Sequence, residues 1–435
     1  MTYAARSFGM EQEVVMLGSL GVSVKTIPLL RIFQTLLLST AIASCTSSTI
    51  EQKKLLAGDR GSDDYFGYSV ALSGKTALVG AYKNDNEGGI DAGAAYVFVA
   101  SDSDWRQQAK LMADDGAPDD TFGGNVALDG NNAVVGSRND DDIGEDSGSA
   151  YVFARDGNTW QQMAKLVAED GAVGDAFGQA VAISNDYIVV GSPHDDDFGN
   201  SSGSAYVFRR NGSSWYQEAK LIASDGAAGD VFGISVSVSG ERILVGADLH
   251  DEIAEDAGAA YMFVRTEGGW VEQAKLTAAD GAKTDLFGVR VALSGETALI
   301  SARRDDDPTM GVDAGSAYVF VQRDGMWIEQ AKLIAPDGSA DDRFARSVAL
   351  FGDTALIGAM FTDDSGENSG SAYLFSRTGD SWTPVTKLLA SDGGTDDLFG
   401  WSIAIGQDYM LVGAIQHDAG LNEAGASFIY SFPDN

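Results

Sequence analysis

The chain has 435 residues, with 53 Gly, 7 Pro, 3 His and a single Cys, and 44% of it is apolar. Glycine without a Gly-X-Y period excludes collagen, the apolar share excludes a disordered acidic tail, and one cysteine excludes both an intramolecular disulfide and a cysteine-based zinc site. With 64 acidic against 29 basic residues the net charge is −35, a field that repels nucleic-acid phosphates and anionic lipid and attracts cations or basic partners.

Residues 1–44 carry no repeat and read as a signal peptide. Lys25 and Arg31 precede an apolar run from Leu36 to Ser44, of secretory length and too short to cross a bilayer. The tetrad Ile42-Ala43-Ser44-Cys45 is similar to the bacterial lipoprotein cleavage box, whose cysteine becomes the lipidated first residue. Cleavage after Ala43 without lipid is the competing reading. Export is expected in either case: to the cell surface or outer membrane as a lipoprotein held through Cys45, otherwise to the periplasm or medium. Residues 45–51 read as a linker, 52–431 as the folded domain and 432–435 as a tail.

One unit, repeated seven times, fills the domain. Phe-Gly recurs at Phe66, Phe122, Phe177, Phe232, Phe287, Phe344 (followed by Ala345) and Phe399, with spacings of 56, 55, 55, 55, 57 and 55. A period near 55 holding four short apolar runs is longer than a helical hairpin or leucine-rich repeat and matches a four-stranded propeller blade. In unit two the predicted strands are Gly124–Leu128, Asn132–Gly136, Gly148–Phe153 and Trp160–Ala168. Runs rich in β-branched and aromatic residues, set between Gly, Asp and Asn turns, predict an all-β fold. The architecture expected is a seven-bladed β-propeller of four-stranded antiparallel blades. Lys53–Ala57 reads as a fourth strand with no first three before it, and Ala426–Tyr430 as a third strand with no fourth after it. Residues 52–57 are therefore expected to complete the last blade and close the ring without a free sheet edge.

Large rings recur at fixed offsets: the seven phenylalanines, Tyr96, Tyr151, Tyr206, Tyr261, Tyr318 and Tyr373, and Trp105, Trp160, Trp215, Trp270, Trp327 and Trp382. Blade-to-blade packing is their simplest role, with sugar-stacking platforms the rival for the tryptophans. The Phe-Gly glycines and Gly80, Gly136, Gly191, Gly246, Gly358 and Gly413 mark close backbone approach near a narrow axis.

Aspartate forms three unbroken columns. Seven positions before each Phe lie Asp59, Asp115, Asp170, Asp225, Asp280, Asp337 and Asp392; two positions before lie Asp64, Asp120, Asp175, Asp230, Asp285, Asp342 and Asp397. After the second strand come Asp85, Asp141, Asp196, Asp251, Asp306, Asp363 and Asp418. In an antiparallel blade the four-to-one and two-to-three connections emerge on the same side, so all three columns are expected on one face, where like charges raise one another's pKa or require a counterion. Calcium, a hard oxygen-seeking ion, is the expected cofactor of these loops, against the alternative that the aspartates only form turns and add solubility. His194, His250 and His417 fall in the same loops and read as exposed loop residues.

The elements Phe66-Gly67-Tyr68-Ser69-Val70-Ala71-Leu72 and Ala77-Leu78-Val79-Gly80-Ala81 resemble the FG-GAP repeat of the seven-bladed propeller in integrin alpha subunits. The family's calcium loop lies between strands one and two, which here are joined by Ser73-Gly74-Lys75-Thr76 or similar, too short and too poor in acids, so those calcium residues do not carry over. The resemblance implies an exported binding or adhesion module, monomeric, taking a protein or glycan ligand on the acidic face. The other classes are a propeller glycan hydrolase or lyase and a passive display protein. The acids repeat sevenfold, whereas catalysis needs one asymmetric constellation, so an enzyme is not the expected reading.

Overall fold

The computed structural model describes residues 52–101 and 104–432; the expected signal peptide, the linker and the lipidation at Cys45 lie outside the described residues. These residues form 28 strands, numbered β1 to β28 in chain order, in seven four-stranded sheets. Blade two consists of β6 (Asn125–Asp129), β7 (Asn132–Ser137), β8 (Ser149–Asp156) and β9 (Thr159–Leu166), paired antiparallel in chain order. The predicted third strand differs at its start. Gly148 has a φ of 80° and forms a parallel bridge to Phe177 of the next unit, so it belongs to the seam between blades and β8 begins at Ser149.

Ring closure follows the sequence. β1 (Gln52–Leu55) pairs antiparallel with β28 (Ala426–Ser431), which continues through β27 (Tyr409–Ala414) to β26 (Phe399–Ile405). Register places Lys53 opposite Ile429 and Lys54 opposite Phe428. The bridge Phe66 to Gly425 matches Phe122 to Gly93 between blades one and two, so the closing seam is built like the interior ones.

Each blade buries its rings against its neighbour. The seven Phe side chains are 0–1% exposed. In blade two Phe122 meets the Tyr151 ring edge-on at 5.5 Å and Phe153 at 6.0 Å, geometry that adds to simple apolar burial. The tryptophans sit on the outer strands, half-buried, and several tie blade to blade: Trp160 Nε1 donates to Gln108 Oε1 at 2.9 Å, and Trp382 Nε1 to Gln330 Oε1 at 3.0 Å.

The two glycine columns meet near the axis. A Cβ on Gly136 would lie 2.1 Å from the carbonyl oxygen of Gly178 in the next blade, and Gly178 itself has a φ of 96°. The same approach recurs between Gly80 and Gly123. Both departures from this pattern fall on one corresponding pair, Ser301 in unit five and Ala345 in unit six.

Candidate functional site: the acidic loop face

The connection entering a blade and the two-to-three loop of the preceding blade are zipped together. Asp119, Thr121 and Phe122 donate backbone N–H groups to the carbonyls of Ile90, Asp91 and Ala92. This contact gathers the aspartate columns, and the structure assigns each column a different task.

The column two positions before Phe is buried. Asp64, Asp120, Asp175, Asp230, Asp285, Asp342 and Asp397 are 2–8% exposed. In each, Oδ2 accepts the backbone N–H three residues earlier, from Gly61, Ala117, Ala172, Ala227, Ala282, Ser339 and Gly394, at 2.6–2.9 Å. Such local side-chain bonds fix a turn. Burial pushes Asp120 and Asp285 up to about 6 against the bond from that N–H, and raises Asp64, Asp175 and Asp342 as well.

The third column is exposed. Oδ1 of Asp85, Asp141, Asp196, Asp251, Asp306, Asp363 and Asp418 accepts the N–H of Asp91, Asp146, Ser201, Asp256, Asp313, Asn368 and Glu423 at 2.7–3.2 Å. Each donor residue has a φ of 45–53°, so the carboxylate braces a left-handed backbone position that a non-glycine residue rarely adopts.

The column seven positions before Phe is half-exposed and takes a lysine. Lys110 binds Asp59, Lys165 Asp115, Lys220 Asp170, Lys275 Asp225, Lys332 Asp280, Lys387 Asp337 and Lys54 Asp392, at 2.6–2.9 Å. Each lysine comes from the Ala-Lys-Leu sequence or its variant that closes every fourth strand. That column of seven lysines was visible in the sequence and is the functional signal that counting acids alone missed. Crowded carboxylates were expected to raise one another's pKa or to require a counterion, and at this column the chain itself supplies the counterion. In Asp115 burial acts to raise the pKa and is outweighed by Lys165 and the Tyr151 hydroxyl, leaving it below the usual value; the other six behave alike with their own lysines.

A buried position four residues after the second-strand glycine completes each cluster, and it varies: Asn84, Asp140, Asp195, His250, Asp305, Thr362 and His417. Asp140 accepts from Tyr151 Oη at 2.7 Å, Ser149 Oγ at 2.9 Å and Lys165 Nζ at 2.9 Å. Two of the histidines differ from the exposed residues expected. His250 and His417 are 7% and 6% exposed, with Nδ1 2.9 Å from Asp230 and Asp397 and Nε2 facing Lys275 and Lys54. A lysine only donates, so Nε2 accepts and the ring proton sits on Nδ1. His194, one position earlier in its loop, is exposed as expected.

Among the described residues, two clusters have ligand atoms close enough to hold a metal ion: Asp170, Asp195 and Asp197, and Asp225, His250 and Glu252, their atoms within 4.8 Å of one another. Three carboxylates suit calcium, while an imidazole ligand suits it less. In both, the centre is taken by an ammonium. Lys220 Nζ lies 2.7, 2.9 and 2.6 Å from oxygens of Asp170, Asp195 and Asp197, and Lys275 pairs with Asp225 and Glu252.

The fold and these loops define a seven-bladed propeller built from a repeat whose Phe-Gly turn packs one blade on the next. The chain belongs to the FG-GAP repeat family: the family model matches at residues 49–98, 105–153, 160–208, 215–263, 270–320, 327–375 and 382–430. No curated protein sequence matches the chain. Among solved structures it is similar to a chain of a mitotic checkpoint complex, at 13% identity and a TM-score of 0.52 over 94% of this chain and 100% of that one. A structure of Sqt1 from Saccharomyces cerevisiae matches at 10% identity and a TM-score of 0.48, over 86% and 98%. At such identities the likeness to the checkpoint chain concerns the fold alone.

Proposed function

We propose that the protein is an exported, monomeric binding or adhesion module that takes a protein or glycan ligand on its acidic loop face. The observation that supports this is the division among the aspartates. One column is buried in a turn and one is paired with lysines, whereas the third, which braces a backbone N–H through Oδ1, meets no lysine column and presents one exposed carboxylate per blade. Integrin-like use of an FG-GAP propeller at a cell surface points the same way. The sevenfold equivalence of these acids favours a binding surface over a hydrolytic one.

The test is retention of the secreted form on immobilised cell-surface proteins and glycans, compared with a variant carrying Asp→Asn at all seven third-column positions. Asparagine keeps the Oδ1 acceptor that braces the loop and removes the charge. Retention should fall while the melting temperature holds. Retention unchanged by the seven substitutions would overturn this reading.

Calcium is the cation we assign to this face, at Asp170, Asp195 and Asp197, where it would exchange with the Lys220 ammonium. Lys220→Met should then raise calcium affinity at least tenfold over the wild type, read by calorimetric titration. Equal responses of both proteins to calcium and to sodium at matched ionic strength would mean that the lysine is the permanent occupant and calcium has no site there.

A further inference from the structure

Most positions repeat from blade to blade, but two columns at the axis do not. The position two after each Phe reads Tyr68, Gly124, Gln179, Ile234, Val289, Arg346 and Trp401; the position two after the second-strand glycine reads Tyr82, Arg138, Pro193, Asp248, Arg303, Met360 and Ile415. Within a chain of net charge −35, these columns and their neighbours gather arginines. Arg290, Arg303 and Arg304 come from blade five, and Arg343 and Arg346 from blade six.

These guanidiniums lie close enough to repel one another. Arg346 is 5% exposed; burial and then Arg290, Arg303 and Arg343 hold it well below the ordinary arginine pKa. Burial and then Arg290 act likewise on Arg303. The one buried carboxylate among them is Asp248, 6% exposed. It forms no ion pair within 4.0 Å among the described residues, although Arg303 and Arg290 both act on it. The buried Nε atoms of Arg303, Arg304, Arg343 and Arg346 have no hydrogen-bond partner among the described residues. Arg346 instead stacks over Trp401 at 4.0 Å, which in turn neighbours Tyr68 at 5.5 Å. Across the axis, Arg138 and Arg290 line one narrow cavity together with Tyr68, Tyr82 and Gln179.

We propose that the axis of the propeller is a binding site for a compact oxoanion of the sulfate or phosphate class, held by Arg290 and Arg346 with Arg138 on the opposite wall. Arg346 brings a buried, unpartnered Nε, while Arg290 and Arg138 each spend one nitrogen, on the Val289 carbonyl at 2.8 Å and on Gln179 Oε1 at 2.9 Å, and keep the rest of a planar fork that suits a tetrahedral oxoanion. A dianion also supplies the charge that one aspartate does not. The surrounding ring of exposed carboxylates works against extended polyanions and leaves small ions the favoured guests. The inference is independent of the acidic-face reading, because it uses none of the same residues.

The test is calorimetric titration of the full chain with sodium sulfate and with inorganic phosphate at constant ionic strength, beside the double variant Arg290→Met/Arg346→Met. The wild type should show saturable binding, and the variant should lose it at least tenfold while melting no lower in chloride, since its repulsion has been removed. Arg138→Gln, at a half-buried position bonded to Gln179 at 2.9 Å, should weaken binding if the double variant fails to fold. A short sulfated oligosaccharide that displaces inorganic sulfate would mark a sulfate ester as the source, and failure to displace it a free ion. Absence of saturable binding, or equal binding by wild type, Arg138→Gln and the double variant, would overturn the proposal. Sulfate also stabilises proteins by exclusion from their surface, so a melting shift common to all three proteins counts against it.

Discussion

Replacing one lysine in each of two blades separates a buried ion-pair network from a surface one. Lys165 reaches Asp115, Asp140 and Asp142, and the Asp140 side chain is 3% exposed. Lys110 in blade one reaches Asp59, because Asn84 stands where Asp140 stands in blade two. Lys165→Met keeps the aliphatic stem and removes a charge-assisted bond to a buried carboxylate, which costs about 1.5–3 kcal/mol. The pairs to Asp115 and Asp142, 44% and 57% exposed, add roughly 0–1 kcal/mol together after solvent screening. The total is about 1.5–4 kcal/mol, against about 0–1 kcal/mol for Lys110→Met. A cooperative unit of about 380 residues has an unfolding entropy near 0.8 kcal/mol/K, so Lys165→Met should lower the Tm by about 2–5 °C and Lys110→Met by about 1 °C or less. Differential scanning calorimetry reads both. The double variant Lys165→Met/Asp140→Asn reproduces the uncharged pairing partner of blade one and should recover part of the loss. Equal shifts for the two single variants, or no recovery in the double, would refute the assignment of Asp140 as the buried partner that matters.

The pH dependence of stability has two opposing arms. The lowered pKa values of Asp59, Asp115 and their column contribute stability that is lost as pH falls below about 4, and the raised values of Asp120 and Asp285 contribute stability that is lost as pH rises through about 6. The Tm should therefore peak near pH 4 and decline between about pH 4 and 6, and Asp120→Asn, which still accepts from Ala117, should flatten that decline; a Tm still rising from pH 5 to 6 would contradict this. Deleting residues 45–58 removes β1 and bares the β28 edge, so the product should aggregate or melt without a single transition; a monomer that melts with the full chain would exclude strand-mediated closure. Gly136→Ala sets a Cβ against a backbone oxygen at 2.1 Å and should cost about 2–4 kcal/mol in a denaturant titration, whereas a cost under about 0.5 kcal/mol would show that the seam yields.

The fold was legible because its signals are local and repeated. Phe-Gly at a fixed period, Gly-rich turns and complementary ends each follow from one blade packing on the next, and seven copies make chance agreement negligible. The site was half legible. Three aspartate columns could be read off and placed on one face by strand direction alone, but their tasks could not. Whether a carboxylate braces a backbone N–H, as Asp120 does, or meets a lysine, as Asp115 does with Lys165, depends on a partner about 50 residues away in the next fourth strand. Sequence spacing does not reveal which of two adjacent units supplies that partner. The two buried histidines were misplaced for the same reason: an imidazole in an acidic loop looks exposed until its position is aligned with Asp140 and Asp195, the buried member of each cluster.

The same comparison locates where seven equivalent blades stop being equivalent. A ring built only of identical units offers identical sites, and any ligand recognised by one blade is recognised by all. Selective binding needs positions that converge on one point and differ in chemistry. Outer-strand and seam positions are held nearly uniform by packing: the Phe is 0–1% exposed in every blade, and every fourth strand supplies a lysine. The axis positions are free of that demand, because each contributes to a shared channel instead of to an identical interface. There the chain places Tyr, Trp, Arg and Asp at corresponding positions, with the Arg346 guanidinium of blade six set over Trp401 of blade seven, beside Tyr68 of blade one. Concentrating buried positive charge at the centre of an acidic molecule destabilises the free protein through desolvation and repulsion. An anion that neutralises this charge recovers the loss on binding, so the strain in the free ring is the source of its affinity at the axis.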